Sequence, residues 1–204
     1  MKIGIIGAGK VGTTLGQRWA ICGHDVRYGV RNPQESKHET LSDHARVMSS
    51  QAAAQESDIV FLCVHWNAVE ASVSEIKDAL DGKILVDCTN PVGADLGGVN
   101  SAAEQIQMWV PQCTVVKSFN QIGFNIMANP ILEGKKTVLF VASDSTDAST
   151  IVEKLACELD FDVVHMPSLS YASHLEAFAM IWITMSYKLG YGREFAFSMN
   201  HRHN

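Results

Sequence analysis

The sequence is poor in the features that tie a chain to a membrane, a nucleic acid or an oxidising compartment. Its longest apolar run, AFAMIWITM, has nine residues, about half of the roughly 20 that span a bilayer. The start, MKIGIIGAG, carries no long apolar stretch before its first motif, so no secretory leader is expected. Basic residues are outnumbered 16 to 22, for a formal net charge of -6, which argues against nucleic acid as a partner. The five cysteines (Cys22, Cys63, Cys88, Cys113 and Cys157) are odd in number and form no CxxC pair. Such scattered thiols read as small core residues of a reduced, cytoplasmic protein. No His/Cys/carboxylate cluster has ligand spacing, so no metal is expected.

What is present is a chain of 204 residues, 47% hydrophobic and 19% charged, enough for one globular unit with a small appendage. KIGIIG is an apolar run closed by glycine, the pattern of a strand buried on both faces. VGTTLGQRWAIC follows as a helix that Gly23 stops. DVRYG, SDIVFLCV, KILVDC, TVVKSFN, TVLFVAS and FDVVHM read as further strands. The polar stretch from Pro33 to Gln55 reads as loop and short helix. NAVEASVSEIKDAL places Val69, Val73, Ile76 and Leu80 on one helical face, and STDASTIVEKLACEL is a helix with a capping start. Alternating strands and helices predict an α/β fold: a Rossmann-type, doubly wound, mostly parallel sheet with a short C-terminal helical extension. The expected division is 1–166 for nucleotide binding and 167–204 for a helix, about Ala172 to Lys188, and a tail that complete an acceptor site and a dimer interface. Phe178, Met180, Ile181, Trp182, Ile183 and Met185 make that helix apolar nearly all round, more than one sheet face covers. A homodimer is therefore expected.

Gly7-Ala8-Gly9-Lys10-Val11-Gly12 is GxGxxG. It follows a buried strand, opens a helix and precedes a second strand. In that context Gly7 makes the tight turn and Gly9 lets the backbone approach a pyrophosphate. Gly12 lets helix and strand pack closely, and the helix N-terminus faces the anion. A site for NAD places Asp or Glu about 20 residues farther on, against the ribose 2′-hydroxyl. Here Val30 and Arg31 stand at that place, with Asn32 and Lys37 close behind. A guanidinium matches a phosphate with a planar fork of donors, so Arg31 selects NADP(H); the alternative is a solvated loop charge.

No catalytic triad is evident. His65 ends the third predicted strand, at the carboxyl edge where ligands bind. His174 opens the last helix. Each is either a lining residue or structural. Asn90, in DCTNPVG, either bonds the nicotinamide or its ribose or belongs to an ordinary Asn-Pro turn. Trp66 either walls the nicotinamide pocket or is core.

The chain resembles the NADP oxidoreductases that use the deazaflavin coenzyme F420, together with the cytosolic oxidoreductase domain of the six-transmembrane epithelial metalloreductases. The resemblance runs through IGIIGAGKVG, GVRNP, DIVFLCVHW, VKSFNQIG, LEAFAMIWI and GREFAF, over essentially the whole chain. It implies that Ala8, Gly9, Lys10 and Val11 line the pyrophosphate and that Val30, Arg31 and Lys37 surround the 2′-phosphate. Val64, His65 and Trp66 would border the nicotinamide, with Asn120 to Gly123 closing its far side. Two positions depart from the family pattern: His65 stands where proline is common, and Ser173 where arginine is common.

The resemblance also accounts for the missing triad, since hydride transfer to a flavin-type ring needs two stacked rings held close rather than protein acid–base chemistry. The implied activity is hydride transfer between NADP(H) and F420 or an exchangeable flavin, FMN or FAD. Two other readings stand beside it: a small-substrate dehydrogenase or imine reductase, and an NADPH-binding redox-sensing module without turnover.

Overall fold

The computed structural model describes residues 1–41 and 45–202, the side chains of Lys37 and Glu39 excepted. Ten strands follow in order: β1 (Lys2–Ile6), β2 (Asp25–Gly29), β3 (Arg46–Met48), β4 (Ile59–Leu62), β5 (Ile84–Asp87), β6 (Thr114–Lys117), β7 (Ile131–Leu132), β8 (Lys135–Lys136), β9 (Val138–Ala142) and β10 (Asp162–Met166). Eight of them form one sheet in the order β10-β9-β6-β5-β4-β1-β2-β3, while β7 and β8 pair as a separate hairpin. The six strands from β3 to β6 are mutually parallel. Their order, 3-2-1-4-5-6, is that of dinucleotide-binding sheets. β9 then runs antiparallel to β6, and β10 is parallel to β9. The Rossmann-type sheet expected from the sequence is present.

The helices are α1 (Lys10–Ile21), α2 (Ser50–Gln55), α3 (Val69–Ile76), α4 (Ala102–Trp109), α5 (Phe124–Ala128), α6 (Thr146–Cys157) and α7 (Ala172–Tyr187). They cover both faces of the sheet because its strands alternate. Ile3, Ile5, Phe61, Val86 and Val116 point to one face, where Trp19 of α1 and Val152 and Leu155 of α6 meet them. Ile6, Val60, Leu62, Leu85 and Val115 point to the other, under Val69, Val73 and Ile76 of α3 and Ile106 of α4. Side chains on successive strand residues face opposite ways, so continuous apolar runs supply two cores at once.

Besides α5 and the β7–β8 hairpin, two elements depart from the sequence expectation. The Pro33–Gln55 stretch holds, besides the short helix α2, the strand β3 at the sheet edge. It is only three residues long. Buried Arg27 of β2 bonds both Asp25 and Glu56, and Arg46 of β3 bonds the same two carboxylates, so β3 is fixed by charge pairing as well as by the ladder. The second departure is α4. Ser101 caps it by accepting from the Glu104 N–H, and its hydroxyl donates to the Glu104 carboxylate at 2.8 Å. Among the described residues no helix is long and apolar enough to cross a membrane.

After α7 the tail returns along the body. The Val138 N–H donates to Phe197 O at 2.9 Å, and Trp182 Nε1 donates to Phe195 O at 3.1 Å. Phe178 packs on both Phe140 and Phe197.

Candidate active site

A cavity of about 1280 Å³ opens along the carboxyl ends of β1, β2, β4 and β5. It lies where the strand order reverses, between β1 and β4, the place at which open α/β sheets bind ligands. Gly7 to Val11 line it after β1, Val30 to Asn32 after β2, Val64 to Trp66 after β4, and Cys88 to Asn90 after β5.

The glycine loop has the required mechanics. Gly7 has φ +102, and a Cβ there would stand 2.7 Å from Cys63 O. A Cβ on Gly12 would meet Gly7 O at 2.1 Å, so α1 can start directly above β1 only with glycine at that position. Gly12 itself is buried behind the cavity wall. Nothing lies within 4 Å of a Cβ built on Gly9, which leaves room for a ligand against the backbone. α1 has no side-chain cap and no acidic residue in its first turn, so its leading N–H groups are open to an anion.

At the β2 end, Arg31 and Asn32 are exposed on the cavity rim. Arg31 makes no hydrogen bond or ion pair among the described residues. Asn32 Nδ2 donates to Glu35 Oε1 at 2.8 Å, so the first acidic side chain after β2 is held by the loop itself. The Lys37 side chain lies outside the described residues.

At the other end, His65 is exposed, and its ring makes no hydrogen bond among the described residues. Trp66 stands partly in the wall and partly in the core, stacked on Trp109 at 6.0 Å. Asn90 lines the cavity and is fixed from behind. Its Nδ2 donates to Asn120 O at 2.7 Å, and Asn120 Nδ2 donates back to Asn90 Oδ1 at 2.9 Å and to Leu175 O at 3.2 Å. Asn120 is thus behind the wall rather than on it. Gly123 is likewise off the cavity, and a Cβ there would stand 2.8 Å from the Trp182 ring. His174 lies away from the cavity, exposed, its ring tilted against Tyr171 at 5.4 Å.

Phe119 is held at φ 59, a left-handed conformation rare for a bulky side chain. The turn buries the Phe119 ring against Trp19, Phe61 and Phe161 and directs the next residue, Asn120, at Asn90. Strain of this kind persists where the surrounding packing over-determines it.

The sequence reading missed a buried ionic cluster beneath Asn90. Lys117 Nζ, fully buried, donates to Asp87 Oδ2 at 2.8 Å and to Thr89 O at 2.7 Å, and pairs with Glu176 Oε1 at 2.8 Å. Asp87 Oδ1 accepts from the Thr89 N–H at 2.8 Å, and Glu176 accepts from the Ala102 N–H at the start of α4. Burial opposes the Lys117 charge, but Asp87 and Glu176 outweigh it and raise the lysine pKa. Burial raises the Glu176 pKa, and Lys117 and the Ala102 N–H only partly offset it. The neighbouring Asp87 carboxylate adds to the rise on Glu176. The signal in the sequence was ionisable residues inside otherwise apolar segments, LVDC, TVVKSF and LEAFAM. Their partners were not readable, because they come from different elements. Burial also raises the Cys88 thiol pKa well above its usual value, so this cavity-lining cysteine is not a thiolate at neutral pH.

Comparison with known proteins gives consistent results. A family model described as NADP oxidoreductase, coenzyme F420-dependent, matches residues 2–91. The chain is 30% identical to the F420-dependent NADP reductase of Methanothermobacter thermautotrophicus, covering 78% of each chain. It is 33% identical to metalloreductase STEAP3 of Rattus norvegicus over 86% of its own length, but spans only 36% of that protein. Among solved structures, a proposed F420-dependent NADP reductase from an Arthrobacter species superposes with a TM-score of 0.87 at 27% identity, covering 98% of this chain and all of that one. An imine reductase from Myxococcus stipitatus in complex with NADP+ has a TM-score of 0.71 at 18% identity, a likeness of fold alone.

Proposed function

Because the chain belongs to the family of coenzyme F420-dependent NADP oxidoreductases, we propose that it transfers a hydride between NADP(H) and a deazaflavin, coenzyme F420, or a free flavin, FMN or FAD. The observation that carries this reading is the continuity of one cavity from the Arg31 rim, past the open N-terminus of α1, to Asn90 and His65. Its lining residues follow the order of groups in an extended dinucleotide.

Each residue then has a task. Arg31 and Asn32, with Val30 beneath them, hold the 2′-phosphate end, and Lys37 is assigned there from the sequence alone. The backbone of Gly7 to Val11 holds the pyrophosphate, and Gly12 sets the helix close enough for it to do so. Val64, His65, Trp66 and Asn90 border the nicotinamide, while Asn120 and Gly123 support that wall. When bound, the dinucleotide supplies the hydride and the acceptor ring takes it. The protein holds the two rings in contact and excludes water, which accounts for a site without an acid–base triad.

Residues 1–166 form the nucleotide-binding part of this reading. Residues 167–204 complete the acceptor side, and a second copy of the chain closes it from outside. The acceptor is exchangeable and the protein works in the cytoplasm.

The test is direct. Purified protein is expected to be colourless and to oxidise NADPH on addition of F420, FMN or FAD. If no such acceptor supports NADPH oxidation, the reductase reading fails and a binding module without turnover takes its place.

A further inference from the structure

The tail carries an arginine that the reading above does not use. Arg193 reaches the same cavity from beyond α7. Its guanidinium stands 4.7 Å from the centre of the Phe124 ring and 5.7 Å from that of Tyr187. Lys10 Nζ, in the glycine loop, stands 4.9 Å from the centre of the same Phe124 ring. Two cations thus converge on one aromatic side chain, no farther apart than the sum of their distances to it.

No carboxylate compensates them. Among the described residues neither Lys10 nor Arg193 is in an ion pair. Glu194, next in the chain, accepts from Asn125 Nδ2 instead. Arg193 Nε is buried and has no partner, an uncommon state for a guanidinium donor. The tail is fastened on both sides of it. Tyr191 N–H donates to Met185 O at 3.2 Å, and Phe195 O accepts from Trp182 Nε1. The arginine is therefore held in place at the cavity wall with an unmet donor and an unmet charge.

We propose that Lys10 and Arg193, set on the Phe124 ring, form a phosphate-binding subsite through which the C-terminal tail grips a ligand in the cavity. Cation–ring contacts hold both side chains without consuming their N–H donors. A planar guanidinium fork and an ammonium on the wall of one cavity suit a phosphate, which two charges of one sign require for neutrality. Two ligands of the proposed reaction carry that chemistry: the dinucleotide in its pyrophosphate, and the flavin-type co-substrate in its side-chain phosphate. The inference rests on the hydride-transfer reading for the second source only.

The test uses the whole chain and the variants Arg193→Met, Arg193→Lys and Lys10→Met, each checked for an unchanged thermal midpoint. NADPH affinity is measured by titration without turnover. KM is measured for FMN and for riboflavin, the same ring with and without phosphate, at saturating NADPH. Loss of a charge-assisted contact of this type corresponds to about 10- to 150-fold in affinity. A rise of that order in the KM for FMN but not for riboflavin identifies the co-substrate phosphate. A rise in the NADPH dissociation constant, with both acceptors unchanged, identifies the pyrophosphate. In either case Arg193→Lys is expected to recover part of the loss. If Arg193→Met leaves the NADPH affinity and the FMN-to-riboflavin ratio within twofold, the subsite is refuted. Should Arg193→Met fail to fold, Arg193→Gln, which removes the charge and keeps a polar side chain, decides by the same readouts. If wild type reduces neither flavin nor F420, the reductase reading has failed, and the NADPH titration still decides the subsite.

Discussion

Arg31 illustrates how one side chain is read by what does not surround it. It stands exposed at the cavity rim with no partner among the described residues. The carboxylate that would serve a ribose in an NAD site is absent from the end of β2, and Asn32 holds Glu35 within the loop. Arg31→Ala is expected to weaken NADPH binding by about 10- to 150-fold, the worth of a charge-assisted hydrogen bond. NADH lacks the phosphate, so its affinity is expected to stay nearly unchanged. Val30→Asp combined with Arg31→Ala adds repulsion against the phosphate and a ribose acceptor, tilting preference toward NADH. Dissociation constants of both cofactors for wild type and the two variants check this. Equal weakening of both by Arg31→Ala would make Arg31 a solvated loop charge.

Between elements, the Lys117 cluster joins β5, β6, α4 and α7 beneath the cavity floor. Lys117→Met would leave the Asp87 and Glu176 carboxylates facing each other in a dry site. The expected cost is about 3–5 kcal/mol, that of breaking a buried pair, read by chemical denaturation at neutral pH. Adding Glu176→Gln removes one stranded charge and is expected to return part of it. Because the fold raises the Lys117 pKa, the cluster's contribution is complete below the unfolded lysine pKa, ~10.4. It is lost only as the pH rises through the higher folded value, so the gap between wild type and Lys117→Met is expected to narrow there. A gap that stays constant into strong alkali would contradict this assignment. Legibility in the sequence also divides at this scale. β1, α1 and β2 were readable because glycine spacing and strand periodicity are local. The apolar face at Val69, Val73 and Ile76 of α3 and Leu80 of the turn after it was readable for the same reason, and all four are buried. β3 was not, being three residues held by Asp25 and Glu56 from elsewhere. α4 did carry a local sign, Ser101 three residues before Glu104, a capping pair. The Lys117 cluster and Arg193 were beyond reach, since the fold alone brings their partners together.

For the whole molecule, α7 presents an apolar surface that the chain itself leaves uncovered. Its apolar character reads all round in the sequence, but the chain covers only one face, through Leu175, Ala179 and Trp182. Met180 remains 40% and Ile181 53% exposed, and Tyr187 at the end of the helix and Leu189 and Tyr191 beyond it are exposed too. On the uncovered side this surface leads into the tail that carries Arg193, while Ile183 of the same helix lines the cavity. A second copy laid on that strip would bury it and close the acceptor side together. Light scattering is therefore expected to give twice the chain mass at micromolar concentration. Ile181→Asp is expected to give a monomer, because a carboxylate on the strip opposes its burial. The residue is exposed within one chain, so the fold should lose no more than about 0.5 kcal/mol. If the partner closes the acceptor side, this variant keeps its NADPH affinity while its KM for the flavin or deazaflavin rises. A wild-type monomer at that concentration would remove the dimer. A monomeric Ile181→Asp protein with unaltered acceptor kinetics would keep the dimer but detach it from the site.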